Sequence, residues 1–399
     1  MSSDNKLEQQ SLPLISKITG GSLLKTTPMF QQFLEIKADN LDCLLFFRMG
    51  DFYELFFEDA VIASKELDIA LTSRGKYDGE PVPMCGVPFH AYVPYIQKLT
   101  KKNYKIAICE QVESPKEAKL RAGSKALVKR EVVRIVTPGT LTEETLLEAD
   151  KNNFLLSVNV YNNHIGISWL DISTGELYTQ LCLQNELLTA IARIRPKEIL
   201  ITENKLLEDN NYSEEIKNVY DCVITPLIQN NNKIKKAEKL ICMHFGVKSL
   251  SSFGIFTETE ILSCWSLLDY VSLTQKGNFP PIRFPKSIKN DSTMRIDSST
   301  RKNLEINQTL IGNKKGSLIN SVDMTLTAAG ARQLDKDISA PLTNIKEING
   351  RLDMIKFLID TELARSGIRE ILKSSADVDR AKARIVVSRG GPRDLKSIQ

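Results

Sequence analysis

The sequence is poor in the residues that most enzymes lean on. Its 399 residues include three histidines, His90, His164 and His244, each isolated from the others. Seven cysteines (Cys43, Cys85, Cys109, Cys182, Cys222, Cys242, Cys264) are scattered and odd in number, with no Cys-x-x-Cys pair. Neither a zinc ribbon nor a disulfide framework is indicated, and buried thiols are expected. The adjacent Cys242 and His244 make a poor ligand pair, so no metal site is expected. No apolar run approaches the roughly 20 residues of a membrane span. The stretch from Met1 to Gln10 is polar, without the basic-then-apolar signal of a secretory leader. A cytoplasmic protein without membrane partners is the expectation. There is also no Gly-x-x-x-x-Gly-Lys-Ser/Thr phosphate loop. Gly312-Asn313-Lys314-Lys315-Gly316-Ser317 has the wrong spacing and no lysine directly before its serine.

What is present is ordinary globular composition, 42% hydrophobic and 26% charged, with a net charge of +4. That sum is too small to establish a nucleic-acid partner, because the distribution of charge matters more than its total. The length suits two or three domains.

One stretch organises the first of them. Leu44 to Phe47 reads as an apolar strand, Gly50 as a turn, and Asp51 to Phe57 as the start of a helix. Asp51 is the expected N-cap, with Glu54 closing a capping box. Phe52 then falls at the first helical position, where a side chain projects from the body. An aromatic and a carboxylate two residues apart fit a wedge plus an acceptor. Core packing and capping are the ordinary reading of the same residues, and short spacing does not separate the two.

Around it the chain alternates helix and strand. Thr27 caps a helix with Pro28 at its first position, and Phe30, Phe33, Leu34 and Lys37 mark one face. Leu67 to Thr72 reads as a strand, Ser73 to Pro83 as a loop carrying Arg74 and Lys76, Tyr92 to Lys102 as a helix, and Lys105–Cys109 and Val132–Val136 as strands. Basic residues crowd the second half: Lys98, Lys101, Lys102, Lys105, Lys116, Lys119, Arg121, Lys125, Lys129 and Arg130. Such a run is a solvated face or a phosphate-tracking surface, and Lys116 to Lys129 reads as a loop. Thr140 to Asp150 is an acidic linker. Three alternating strands follow, Phe154–Val160, Ile165–Ile172 and Glu176–Leu183, with turns at Asn162-Asn163 and Thr174-Gly175. A helix from Asn185 to Arg195 and a strand from Glu198 to Thr202 complete the opening of a ribonuclease-H-like fold. Asn230 to Asn232 reads as a surface loop, and Glu258 to Thr274 as an amphipathic helix with Trp265 on its core side. From about Met294 the pattern turns helical, with Thr300 as the expected cap of the first helix.

Four ordered blocks resemble the MutS family of DNA mismatch-recognition proteins. They are Thr27-Pro28-Met29, Phe47 to Glu54, Gly79 to His90, and Arg134 to Thr140. Gly316-Ser317-Leu318, Asp323-Met324-Thr325, Gly330-Ala331-Arg332, Pro341-Leu342, Arg351-Leu352-Asp353, Asp377 to Arg380 and Pro392 to Leu395 extend the likeness to the end. Ala329 and Asp337 depart from it, where bulkier apolar residues are usual. The resemblance implies a multidomain α/β plus α architecture. Residues 1–23 form a mobile tail and 24–137 a mixed-sheet mismatch-recognition domain. Residues 138–150 are a linker, 151–285 a ribonuclease-H-like connector, and 286–399 the start of a helical core or lever domain.

It further implies that Phe52 stacks on a mispaired base and Glu54 hydrogen-bonds to it, flanked by Met49, Gly50, Asp51 and Tyr53. Arg74, Lys76, Lys129 and Arg130 are the candidate contacts to the DNA backbone. The implied partners are duplex DNA with mismatches or small loops, a second copy in a dimer, and downstream repair factors, near the nucleoid. ATP and magnesium are implied only for an ATPase domain that these residues do not contain, so no catalytic residue or cofactor is expected here. A truncated product is one reading of that ending. Metal-dependent cleavage centred on Asp171 is the rival chemistry, since ribonuclease-H-like folds host two-metal nucleases.

Overall fold

The computed structural model describes residues 27–399 except 124–125, 162–163, 203–215, 217–221, 228–233 and 290. The expected tail, the Asn162-Asn163 turn, the Asn230–Asn232 loop and Lys125 lie outside the described residues. The chain divides into two compact units. One runs to Pro138 and includes Ser272–Asn278. The other comprises Gly139–Val271 and Phe279–Gln399.

The first unit begins with α1 (Pro28–Ala38), where the Thr27 hydroxyl accepts the Phe30 N–H and Pro28 opens the helix. It continues through β1 (Cys43–Met49), β2 (Phe52–Phe56), α2 (Phe57–Leu67), β3 (Thr72–Tyr77) and β4 (Glu80–Pro88). Then come α3 (Val93–Thr100), β5 (Lys105–Gln111), α4 (Pro115–Ala122) and β6 (Arg130–Val136). The six strands form one sheet in the order β3-β4-β2-β1-β5-β6. Only β1 and β5 run parallel.

The face of α1 read from the sequence is the buried one. Its Phe30 and Phe33 meet Phe56 edge-on at 5.4 and 5.1 Å between ring centroids, and Phe33 meets Phe47 at 5.5 Å. Each buried ring contributes roughly 1.5–3 kcal/mol. Beneath them Lys37 pairs with Asp59 at 2.9 Å, while the other Asp59 oxygen accepts the Leu45 N–H at 2.9 Å.

Several local expectations change. The residues from Phe52 to Phe56 form a strand, not a helix, and α2 starts only at Phe57. Phe57 takes a left-handed φ of 54°, rare for a bulky residue, and is held there by ring contacts with Phe30, Phe33 and Tyr77. Of the expected strand from Leu67 to Thr72, Leu67 ends α2, Asp68 closes it in the left-handed region, and Thr72 alone is in a strand, at the start of β3. The expected loop from Ser73 to Pro83 is a hairpin, its Asp78-Gly79 turn having positive φ at both residues. The lysine-rich loop contains α4, with a capping box between Ser114 and Glu117.

In the second unit β7 (Phe154–Tyr161), β8 (His164–Asp171) and β9 (Glu176–Cys182) make an antiparallel meander. After α5 (Leu187–Ile194), β10 (Glu198–Thr202) returns parallel to β7, and β11 (Val223–Leu227) runs parallel to β10. Next come α6 (Ile234–Phe245), α7 (Glu258–Thr274) and β12 (Lys286–Ser287), the last lying parallel to β9. Alternation splits the sheet's apolar residues between two cores. Leu156, Ile167 and Ile199 pack on α5, whereas Leu155, Leu170 and Leu200 pack with Ile241, Leu267 and Leu268 of α6 and α7. Trp265 packs against the second core, as expected.

The rest is helical: α8 (Ser298–Asn303), α9 (Leu318–Val322), α10 (Ala328–Ser339), α11 (Ile345–Asp360), α12 (Glu362–Ser374), α13 (Val378–Val386) and α14 (Pro392–Ile398). Asp297, not Thr300, caps α8, accepting the Thr300 N–H at 2.9 Å. All seven cysteines are buried and unbridged. Among the described residues no helix is long and apolar enough to cross a membrane.

Candidate nucleic-acid interface

The first unit presents its site at the tip of the β1–β2 hairpin. Met49 pairs with Phe52 across a two-residue turn, Gly50-Asp51. Gly50 has φ +59°, the glycine-first pattern favoured in such turns. Both turn residues are exposed. Strand alternation then assigns the faces. Phe52, Glu54 and Phe56 share one face, with Phe56 buried under α1. Tyr53 and Leu55 take the other.

Phe52 stands at the end of that row, 47% exposed, whereas most of the unit's other phenylalanines are buried. Two residues inward, Glu54 is 8% exposed. Opposite Glu54 on β4 lies Gly86. A Cβ there would lie 3.8 Å from both the Phe52 ring and the Glu54 stem, so the bare glycine leaves the space between them open.

Cations flank Glu54. Its Oε1 accepts from the Arg74 guanidinium on β3. Its Oε2 is buried without a hydrogen-bond partner. Burial pushes the carboxyl above its usual range, although the charges of Arg74 and Arg130 oppose the shift. Arg74 stays 44% exposed at its side chain.

The remaining candidates divide. Met49, half-buried, borders the site, and Gly50 and Asp51 form its rim. Tyr53 is not part of it. It is 2% exposed on the opposite face, its hydroxyl donating to Glu110, with burial and that carboxylate raising its pKa. Arg130 is also withdrawn from the surface. It is 7% exposed, lies over the Phe47 ring at 5.0 Å, and donates to the Arg48 carbonyl at 2.7 Å and to Gln32 at 3.0 Å. It acts as a strut under Met49 and as part of the positive field at Glu54. Lys129 is exposed and pairs with Glu131. Lys76 is exposed on the edge strand β3, where a lysine also guards against edge-to-edge pairing.

Much of the basic run is neutralised locally: Lys105 by Asp42, Lys102 by Glu66 and Arg121 by Glu113. Sequence reasoning passed over Arg48, whose guanidinium lies 3.4 Å from the Phe89 ring centroid on the Tyr53 side. It also missed the part played by Gly86. The only signal for either was membership in the matched blocks.

Asp171, the rival catalytic candidate, is fully buried. One of its oxygens accepts from Asn152 at 2.9 Å and the Asn153 N–H at 3.1 Å. The other accepts from the N–H and hydroxyl of Ser173 at 2.9 and 2.6 Å. Its acceptor capacity is committed to fixing the β8–β9 turn and the residues just before β7. Among the described residues no cluster of three His, Cys, Asp or Glu side chains is placed to hold a metal.

Comparison with known proteins agrees with the first impression from the motifs. MutS domain I matches residues 27–145, MutS domain II residues 153–283, and MutS domain III residues 299–399. The DNA mismatch repair protein MutS of Cereibacter sphaeroides (strain ATCC 17029 / ATH 2.4.9) is 45% identical over 382 residues, 95% of this chain and 42% of that protein. The proteins of the same name from Wolbachia pipientis wMel and Rickettsia typhi are each 44% identical over 375 residues, 94% of this chain. These alignments span 44% and 42% of the two relatives, so the chain covers less than half the length of the curated proteins it matches. With three consecutive domain matches in order and identity sustained over nearly its whole length, the chain belongs to the MutS family.

Proposed function

We propose that the first unit recognises mispaired or looped duplex DNA, with Phe52 as the wedge and Glu54 as its hydrogen-bonding partner. The observation that carries this reading is the pairing of an exposed ring at a hairpin tip with a buried carboxylate directly behind it on the same face. A phenylalanine left outside a well-filled core loses the burial that ordinarily holds it there. A carboxylate with one oxygen unpaired is equally costly. Both costs are recovered when a base stacks on the ring and presents its edge to Glu54.

The energetics favour defective pairs. Opening and kinking a duplex costs a few kcal/mol per unstacked step, and least where pairing is already broken. Phe52 enters the minor groove and stacks on one base. Glu54 hydrogen-bonds to the edge of that base, and burial, which shifts its carboxyl toward the neutral form, lessens the cost of bringing it among phosphates. Discrimination then rests on deformability rather than on base identity. Arg74 supplies a phosphate contact from the same rim, with Lys76 beside it on β3.

The same reading makes the second unit a ribonuclease-H-like connector followed by the first helices of a lever. Its meander with a parallel return strand supports this. Dimerisation, downstream repair partners and ATP- and magnesium-dependent signalling follow from the family reading. The last needs a phosphate loop that these 399 residues do not carry.

The test is a binding titration of mismatched against fully paired duplex at one fixed salt concentration. Phe52→Ala is expected to abolish the preference while leaving salt-dependent binding to paired DNA in place. A variant that keeps the full preference removes the wedge from the mechanism.

A further inference from the structure

The second unit contains a cavity of about 270 Å³ between α5, β9 and the segment leading into α8. Its lining includes Arg193, Arg295 and Arg301, with the neutral polar groups of Gln180, Asn185 and Thr189. Two carboxylates also line it, and both are engaged. Glu186 is paired with Arg295. Asp297 caps α8, accepting the Thr300 N–H at 2.9 Å and the hydroxyls of Ser299 and Thr300 at 2.6 Å each.

Among the described residues Arg193 is paired with no carboxylate. Its hydrogen bond goes to the neutral Gln180 side chain, and its guanidinium carbon lies 5.4 Å from the centroid of Trp169. Burial disfavours its charge. A desolvated guanidinium is ordinarily matched by a carboxylate or phosphate, because its Coulombic cost is otherwise uncompensated. Arg193 is partly buried, and contact with the Trp169 face recovers part of that cost without supplying a negative charge. Arginine's fixed fork of N–H groups suits tetrahedral oxyanions in particular.

We propose that this cavity is an oxyanion site, taking inorganic phosphate or the phosphate group of a small ester such as a mononucleotide, held by Arg193 with Arg295 at the mouth. The site belongs to the second unit and does not depend on the assignment of the hairpin residues to DNA recognition. The volume exceeds what a single phosphate needs, so a small ester also fits. Arg295 is about half exposed at its side chain and can exchange Glu186 for the ligand.

The experiment is a calorimetric titration of the whole chain with inorganic phosphate, ionic strength held constant with chloride, alongside melting temperatures and tryptophan emission. Saturable binding is expected, with a rise in melting temperature and a change in emission from Trp169. Arg193→Met is expected to weaken it by about tenfold or more, the loss of one charge-assisted hydrogen bond. Because Arg193 also packs on Trp169, Arg295→Ala serves as the second variant. Its side chain sits at the surface, and weaker phosphate binding with an unchanged melting temperature of the unliganded protein is expected. A mononucleotide that binds more tightly than phosphate identifies the ester as the ligand. Equal affinity identifies the free ion. No saturable heat, or binding unchanged in both variants, overturns the proposal.

Discussion

At the scale of single residues the molecule hinges on Glu54. Its neighbours make it a carboxylate that keeps its proton longer than an exposed one, with burial the leading cause and Arg74 working against it. The sign of the linkage follows. Where the folded value lies above the unfolded one, the folded state binds more protons in the interval between them. That contribution to stability is complete below the ordinary carboxylate range and is lost as pH rises through the raised value. If the protonated form is the one that meets the base, preference for mismatched duplex strengthens toward acid over the same interval. Glu54→Gln, a permanent donor of similar shape, is expected to keep the preference but flatten its pH dependence. Glu54→Ala is expected to lose discrimination and to tighten binding to paired DNA, since Arg74 is released from its pairing with Glu54. Titrations at several pH values with both duplexes check this, and a pH slope that persists in the Gln variant assigns the proton to another group.

At the scale of elements the β1–β2 hairpin sets where the ring stands. Gly50 has φ +59° with nothing within 4 Å of an added Cβ, so Gly50→Ala tests backbone conformation alone. A cost of about 1–2 kcal/mol in chemical denaturation is expected from the left-handed penalty. Discrimination is expected to fall as well, because the tip's geometry shifts. The buried Lys37–Asp59 pair anchors the base of the same sheet. Lys37→Ala leaves Asp59 uncompensated and is expected to cost about 3–5 kcal/mol, measured by equilibrium unfolding. The hairpin is also where the sequence misleads. Asp51 and Glu54 have the spacing of a capping box, and Phe52 to Phe57 has no glycine or proline to interrupt a helix. The strand prevails because β2 pairs on both sides, with β1 and β4, which satisfies its backbone groups. The first residues of β4, Glu80 to Pro83, lay in a segment read as a loop. Phe52 is exposed all the same, since an end position follows from either secondary structure.

At the scale of the second unit, arginines tie distant stretches together. Arg380 donates to the carbonyls of Glu148 at 2.9 Å and Lys151 at 2.6 Å. Arg332 donates to the Ala149 carbonyl at 2.8 Å and pairs with Asp377 through both terminal nitrogens, at 2.7 and 3.0 Å. The acidic segment before β7 is therefore clasped by α10 and α13. Arg332→Ala is expected to cost about 3 kcal/mol through the stranded Asp377. Amide exchange around Glu148 to Lys151 is expected to quicken more than exchange in β7 to β9, which hydrogen-exchange mass spectrometry would register. Lys336 pairs with both Glu176 oxygens at 2.8 and 2.9 Å, joining α10 to β9. Elsewhere Gly166 lets α7 lie against β8. A Cβ there would come within 2.2 Å of the Thr259 backbone, so Gly166→Ala is expected to lower the unit's melting temperature markedly.

What the sequence determined alone was what repeats or matches: the capped first helix with its buried face, the alternation of β7 to β9, and the blocks that carry the family. Periodicity and side-chain capping are local, so they can be read from the order of residues. What only the tertiary structure decided was which groups are spent and which remain. Arg130 and Tyr53 look available in the sequence, yet Arg130 lies over Phe47 and Tyr53 is buried on the far face. Arg193 looks like one more helical cation, yet a cavity and a missing carboxylate set it apart. Desolvation and partnership depend on residues far away in the chain, and no local pattern encodes them.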